Sequence, residues 1–276
     1  MNGLAINAAQ QFLSAKFGPE SSPHAIGSYI QFLSRVQPGV VFFSCHLLRR
    51  SSFQIVVRVE LAPDSQTRLV TDAPGSGLSA VAIITFGNMF KEVGLSQETI
   101  SSIMTDLPNR ERDCQEIDDP YMRATPMTRK FRWWSPRNNS PNGNGLWGHR
   151  AGGHIRDTFI SLADGSPVGL YEITWFADIG FQPPLTHERD LPLYWQVSTT
   201  SIAIEYKRPI PKDLEWALVR TNSHVVRHGR YDIDIFIVDP ADNGILVLAR
   251  HLVYVRPFKM LSSKNGGEKD RTGPKI

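Results

Sequence analysis

The stretch YDIDIFIVDPADNGILVLARHLVYV, residues 231–255, reads as two long β-strands joined by a turn. Tyr231, Ile233, Ile235 and Ile237 alternate with Asp232, Asp234 and Phe236, a period of two that turns one face of a strand toward a core. Asp239-Pro240-Ala241-Asp242-Asn243-Gly244 carries the Pro, Asx and Gly residues that reverse a chain. Residues 246–255 are long and β-rich, so an antiparallel pair closes this end of the chain.

Outward from there the same signals repeat. Ile202, Ile204 and Tyr206 alternate with Ala203 and Glu205, and Phe53, Ile55, Val57, Val59 and Leu61 alternate with Gln54, Val56, Arg58 and Glu60. Ser79–Phe86 is a further strand, and Thr128–Trp134 another. Arg227-His228-Gly229-Arg230 and Arg49-Arg50-Ser51-Ser52 are turns between strands. Helical signals are few. Asn2–Phe17 has apolar residues at Leu4, Ala8, Phe12 and Ala15 and a Gly18-Pro19 stop. Pro167–Asp178 follows Ser166 as N-cap and ends at Gly180, and Leu95–Leu107, capped by Ser96, reads as a third, peripheral helix.

The two halves carry one order of elements. The first reads helix (2–17), strand (25–35), Pro38-Gly39, hairpin (40–61) and final strand (79–86). The second reads helix (167–178), strand (197–207), Pro209 and Pro211, hairpin (216–238) and final strand (246–255). This is an internal duplication. One apolar helix with a run of antiparallel strands packs as a curved sheet wrapped around the helix, so the fold class is α+β, built twice. Residues 1–90 form the first unit, 91–126 a charged linker, 127–258 the second unit and 259–276 a disordered tail. The first unit has no strand ahead of its helix, because Met1 falls at the helix start; it is either natively short or trimmed, and an unpaired sheet edge follows. The two units are expected to join sheet edge to sheet edge, and a homodimer through further packing is compatible with this plan.

Composition narrows the function classes. The 276 residues hold 30 Lys and Arg against 27 Asp and Glu, a formal charge of +3, too mild to argue for nucleic acid. No apolar run nears the ~20 residues of a membrane helix, and no secretory signal opens the chain. Two cysteines cannot build a disulfide framework, which points to a reducing, cytoplasmic setting. Cys45, in the run 40–45, reads as a small buried hydrophobe.

Helix, strand, hairpin and strand, twice over, resembles the double hot-dog thioesterases, the family of bacterial acyl-CoA thioesterase II and of similar fungal proteins. The likeness rests on Asn2-Gly3 at the first helix, Ile30 to Gly39 (Ile-Gln-Phe-Leu-Ser-Arg-Val-Gln-Pro-Gly), Phe176-Ala177-Asp178 at the second helix end, Tyr206-Lys207-Arg208-Pro209, and Leu248-Ala249-Arg250-His251. It spans residues 2 to about 257. It implies a tandem hot-dog that needs no cofactor or metal and acts on an acyl-CoA or acyl-carrier thioester.

Thioester hydrolysis needs an activated water and donors for the oxyanion. In the family an Asp ending the second helix, a Ser or Thr on the next strand and a Gln on the last strand hold the water. The resemblance carries these onto Asp178, Thr199 and His251. His251 departs from the Gln, and imidazole titrates near neutral pH. An Asp–His pair could place the general base on His251 with Asp178 orienting it. The His also opens a second reading, a dehydratase, isomerase or cyclase on the same fold, and the short first half opens a third, a non-catalytic acyl-binding or scaffold protein. Other features carry less. His149 and His154 in a Gly-rich loop lack further metal ligands. Arg227, His228 and Arg230 read as a solvated turn, and Lys130, Arg132, Trp133 and Trp134 as strand rather than nucleic-acid surface. No Gly-x-Ser-x-Gly elbow is present.

Overall fold

A computed structural model describes residues 1–18, 24–36, 38–63, 77–95, 104–117, 125–137, 155–178 and 195–257. The alternating segments become strands of one antiparallel sheet. The first half supplies β1 (His24–Phe32), β2 (Phe42–Arg50), β3 (Ile55–Ala62) and β4 (Ala80–Gly87). The second supplies β5 (Cys114–Glu116), β6 (Phe131–Pro136), β7 (Ile155–Leu162), β8 (Trp195–Tyr206), β9 (Ala217–Asn222), β10 (Val226–Arg227), β11 (Arg230–Asp239) and β12 (Gly244–Pro257). The order is β2-β3-β4-β1-β8-β12-β11-β9-β7-β6-β5, with β10 paired to β11.

This order displays the duplication. Outward from the middle, β1-β4-β3-β2 runs one way and β8-β12-β11-β9 the other, each with the same sequence of strand roles. The halves meet where β1 pairs with β8, from Gly27 opposite Glu205 to Gln31 opposite Ser201. On the second side β7, β6 and β5 extend the sheet beyond β9. On the first side β2 is the border strand among the described residues.

Helix α1 (Asn2–Phe17) has the expected bounds. Ala5, Ile6, Ala9 and Leu13 fall on one face at helical spacing and are buried with the core. Gly18, at φ +91°, stops the helix and donates its N–H to the Ser14 carbonyl at 2.9 Å. Helix α3 (Leu170–Phe176) is shorter than expected. Ser166 is not its cap: that side chain bonds Asp164, and the Val168 N–H goes to the Leu214 carbonyl at 2.7 Å. The helix starts instead after Gly169, whose N–H is taken by the Glu172 carboxylate at 3.0 Å. Phe131 stacks on Trp175, ring centres 4.5 Å apart, and meets Phe176 edge-on, which locks α3 to β6.

Three further differences stand out. β7 was not anticipated, because six of its eight residues are buried and no alternation shows. The stretch expected as a linker contains a short helix, α2 (Arg110–Asp113), and β5. They cover the outer sheet face, where Cys114, Phe159, Trp216, Leu218 and Val238 form a second small core. Residues 104–107 are not α-helical; the rest of the helix expected over 95–107 lies outside the described residues apart from Leu95, as do the tail from 258 and His149 and His154. No helix among the described residues is long and apolar enough to cross a membrane.

Candidate active site

The end of α3 and the inner face of the β8–β12–β11 sheet come together at one place. Ala177 and Asp178 follow α3 in a turn, with the Asp178 N–H on the Trp175 carbonyl at 2.9 Å. His251 lies on β12 between Ile202 of β8 and Ile233 of β11, all three facing the core. The imidazole is 2% exposed, and its Nε2 is 2.6 Å from the Ala177 carbonyl oxygen. A carbonyl only accepts, so Nε2 carries the proton and donates it. Nδ1 is left as a lone-pair acceptor, buried and without a hydrogen bond.

Burial holds the His251 pKa below its ordinary 6.5, opposed by the Asp178 charge and the Ala177 hydrogen bond. The ring is therefore neutral at pH 7. Orientation of the ring falls to the Ala177 backbone rather than to the Asp178 side chain, whose carboxylate acts on it through charge. Asp178 itself is half-buried.

Thr199 reaches the same face by an irregularity. Strict alternation from Ile202 and Ile204 would turn it outward. Between Leu252 and Val253 the register of β12 against β8 shifts by one, so Leu252 pairs with Ser201 but Val253 with Thr199. Val253 is fully buried and two residues from His251, and Thr199 opposite it faces inward. The bulge is pinned from the other half, where the Gln31 side chain donates to the Thr200 carbonyl at 3.0 Å. His251 and Thr199 thus lie on one sheet face, and the turn holding Ala177 and Asp178 meets that face at His251.

The strand pairing also places residues that were not singled out. Tyr231 shares the row of Val253 and Thr199, on the far side of Val253. The row beyond His251 runs Arg156, Thr221, Ile235, Ala249, Ile204. Arg156 is fully buried, and burial lowers its pKa to about 9 despite the neighbouring Asp157 charge. Tyr231 had been legible only as one apolar-face position of an alternating strand.

Other candidates separate from this site. Burial pushes the Cys114 thiol up to about 12, so it stays protonated and supplies no nucleophile. Cys45 is half-buried, opposite Val59. Arg227 and Arg230 pair in an exposed turn. Trp133 is buried in the core, and Arg132 pairs with Glu116 at 3.1 Å. His224, Asp232 and Asp234 bring potential metal ligands within 4.8 Å of one another, but Arg250 donates to Asp232 at 3.3 Å and ion-pairs with Asp234 at 3.5 Å. The group is a surface ion-pair network.

A long antiparallel sheet, two helices against its inner face and a polar site at the end of the second helix define a hot-dog protein. Residues 111–255 match the model of the acyl-CoA thioesterase C-terminal domain, over half of the chain, and the chain belongs to that family. No curated protein matches it. Among solved structures it resembles the acyl-CoA thioesterase II TesB2 of Mycobacterium marinum, with 14% identity, a TM-score of 0.65, and 94% of this chain and 90% of that one covered. A conserved hot-dog protein of unknown function from Alicyclobacillus acidocaldarius gives 12% identity, a TM-score of 0.64 and coverage of 91% and 86%. The dehydratase domain from the CurJ module of the curacin polyketide synthase gives 11%, 0.51, 91% and 82%. These likenesses show a shared fold.

Proposed function

We propose that the protein hydrolyses an acyl thioester, with a fatty or polyketide acyl group carried on CoA or on a carrier protein. The observation that carries this reading is the bare Nδ1 of His251, buried beside the Asp178 charge on the sheet face that Thr199 also lines. In this reading Nδ1 takes a proton from water as the water oxygen adds to the thioester carbon. The Asp178 charge stabilises the imidazolium that forms, while Ala177 holds the ring. The Thr199 hydroxyl donates to the carbonyl oxygen as it becomes an oxyanion. Collapse breaks the C–S bond, and the imidazolium returns its proton to the leaving thiolate. The products are a carboxylic acid and a free thiol. The working unit is residues 127–258, with 1–90 as its structural partner.

The test is release of free thiol from acyl-CoA substrates by the full chain and by His251→Gln. Gln restores the family's usual residue and can still donate to Ala177, but it cannot take a proton. Loss of turnover in this variant supports His251 as base; unchanged turnover overturns that role.

The same bare nitrogen favours a second reading. A buried neutral imidazole next to a thioester is also placed to remove a proton from the carbon beside the carbonyl, as a dehydratase or isomerase requires. Product mass separates the two, since hydrolysis adds water and these reactions do not.

A further inference from the structure

Three hydroxyls on or just past β11 and β9, the two strands that follow β12 in the sheet order, make no hydrogen bond although they are buried. They belong to Tyr231, Thr221 and Ser223, which are 2%, 3% and 1% exposed. Buried polar groups are almost always paired, so three such groups in one region need a partner from outside the chain. Their placement is ordered. Tyr231 and Thr199 flank Val253 in one row. Ile233, His251 and Ile202 form the next row, and Thr221 lies in the row beyond, opposite Ile235. Successive rows on one face are roughly 7 Å apart. Ser223 follows the end of β9 immediately after Asn222, which sits opposite Asp234. Hydroxyls therefore lie on both sides of the His251 row, along apolar Ile233, Ile235 and Val253.

An unsubstituted alkyl chain laid on this face would leave all three hydroxyls unpaired. Burial raises the Tyr231 pKa, so its phenol remains a donor. Thr and Ser hydroxyls both donate and accept.

We propose that this face recognises an oxygen-bearing acyl chain, a hydroxyacyl or oxoacyl thioester, with Tyr231 on one side of the His251 row and Thr221 on the other each bonding oxygen at a different position along the chain. This assignment rests on the thioester reading for the identity of the ligand, and deepens it by naming the acyl class.

The experiment compares kcat/KM for 3-hydroxyacyl-CoA and 3-oxoacyl-CoA with that for the unsubstituted acyl-CoA of equal length. It uses the full chain, Tyr231→Phe and Thr221→Val. The expected result is a preference of about 10-fold or more for an oxygenated chain, because leaving a buried donor unpaired is costly. At least one of the two variants, the one whose hydroxyl meets the C3 oxygen, should bring the ratio toward one, with melting curves recorded to confirm folding. Non-hydrolysable thioether analogues of the same chains are titrated in parallel. If no thioester is turned over but the oxygenated analogue still binds at least 10-fold tighter than the plain one, hydrolysis fails and this proposal stands. A ratio near one in both turnover and binding overturns it, the hydroxyls then being met by ordered water only. A preference untouched by both variants overturns it as well.

Discussion

His251 on β12 and Ala177 just past α3 are joined by a 2.6 Å hydrogen bond that fixes both the ring and its tautomer. Because Nε2 is committed to the backbone, the only ring atom free to exchange a proton is Nδ1. If that nitrogen is the base, His251→Gln lowers kcat by about 10²- to 10⁴-fold, the usual contribution of a positioned base. Thiol release at saturating substrate measures it.

The same nitrogen gives turnover a pH dependence. Since burial holds its pKa below 6.5, kcat/KM should rise through an acid limb centred below that value and then level off. Asp178 raises this pKa, so Asp178→Asn should move the limb to still lower pH as well as slow the reaction. A pH–rate profile of both proteins checks the direction.

Stability follows the same ionisation. The unfolded chain protonates His251 near 6.5, whereas the folded chain resists until lower pH. The unfolded state therefore binds more protons in that window, and stability is full above pH 6.5 and declines as pH falls through it. Urea midpoints between pH 5 and 7 should fall less steeply for His251→Gln than for the parent.

Asp157 on β7 and Arg220 on β9 form a bidentate pair at 2.7 and 2.8 Å on the outer sheet face, 1% and 2% exposed at the side chain. Arg220 also donates to the carbonyls of Thr105 and Asp106, holding down the segment that covers the second core. Asp157→Ala leaves the guanidinium buried without its counter-charge and should cost about 3–5 kcal/mol. Chemical denaturation measures it, and the double change with Arg220→Met should recover part of the loss.

Gly229 turns the chain between β10 and β11 at φ +75°, and a Cβ there would lie 2.4 Å from the Val255 carbonyl oxygen. Gly229→Ala combines a left-handed backbone with a backbone clash and should destabilise by about 1–3 kcal/mol, read as a lower melting temperature.

Much of the fold was legible because it rests on local rules. Helix α1 has the expected bounds and stops at Gly18, although its buried face is Ala5, Ile6, Ala9 and Leu13 while Leu4 and Ala15 are exposed, and alternation marks β3 and β11 but not β2 or β9. β7 was not legible: Arg156 and Asp157 are buried on opposite faces, so its pattern has no polar side. At the site, Asp178 and His251 could be named from the resemblance. What could not be read were facts of tertiary pairing. The Ala177 carbonyl sets the tautomer, and the register shift beside Val253 turns Thr199 inward. Tyr231 looks like any other aromatic on an apolar face until its hydroxyl is seen to lack a partner.

The seam between β1 and β8 joins main chain to main chain. Every residue but proline brings the same amide and carbonyl, so most side-chain changes leave these ladder bonds in place, with Gln31 adding one side-chain bond across the join. A join of this kind is compatible with very different side chains, as the shared fold at 12–14% identity with the solved hot-dog structures illustrates.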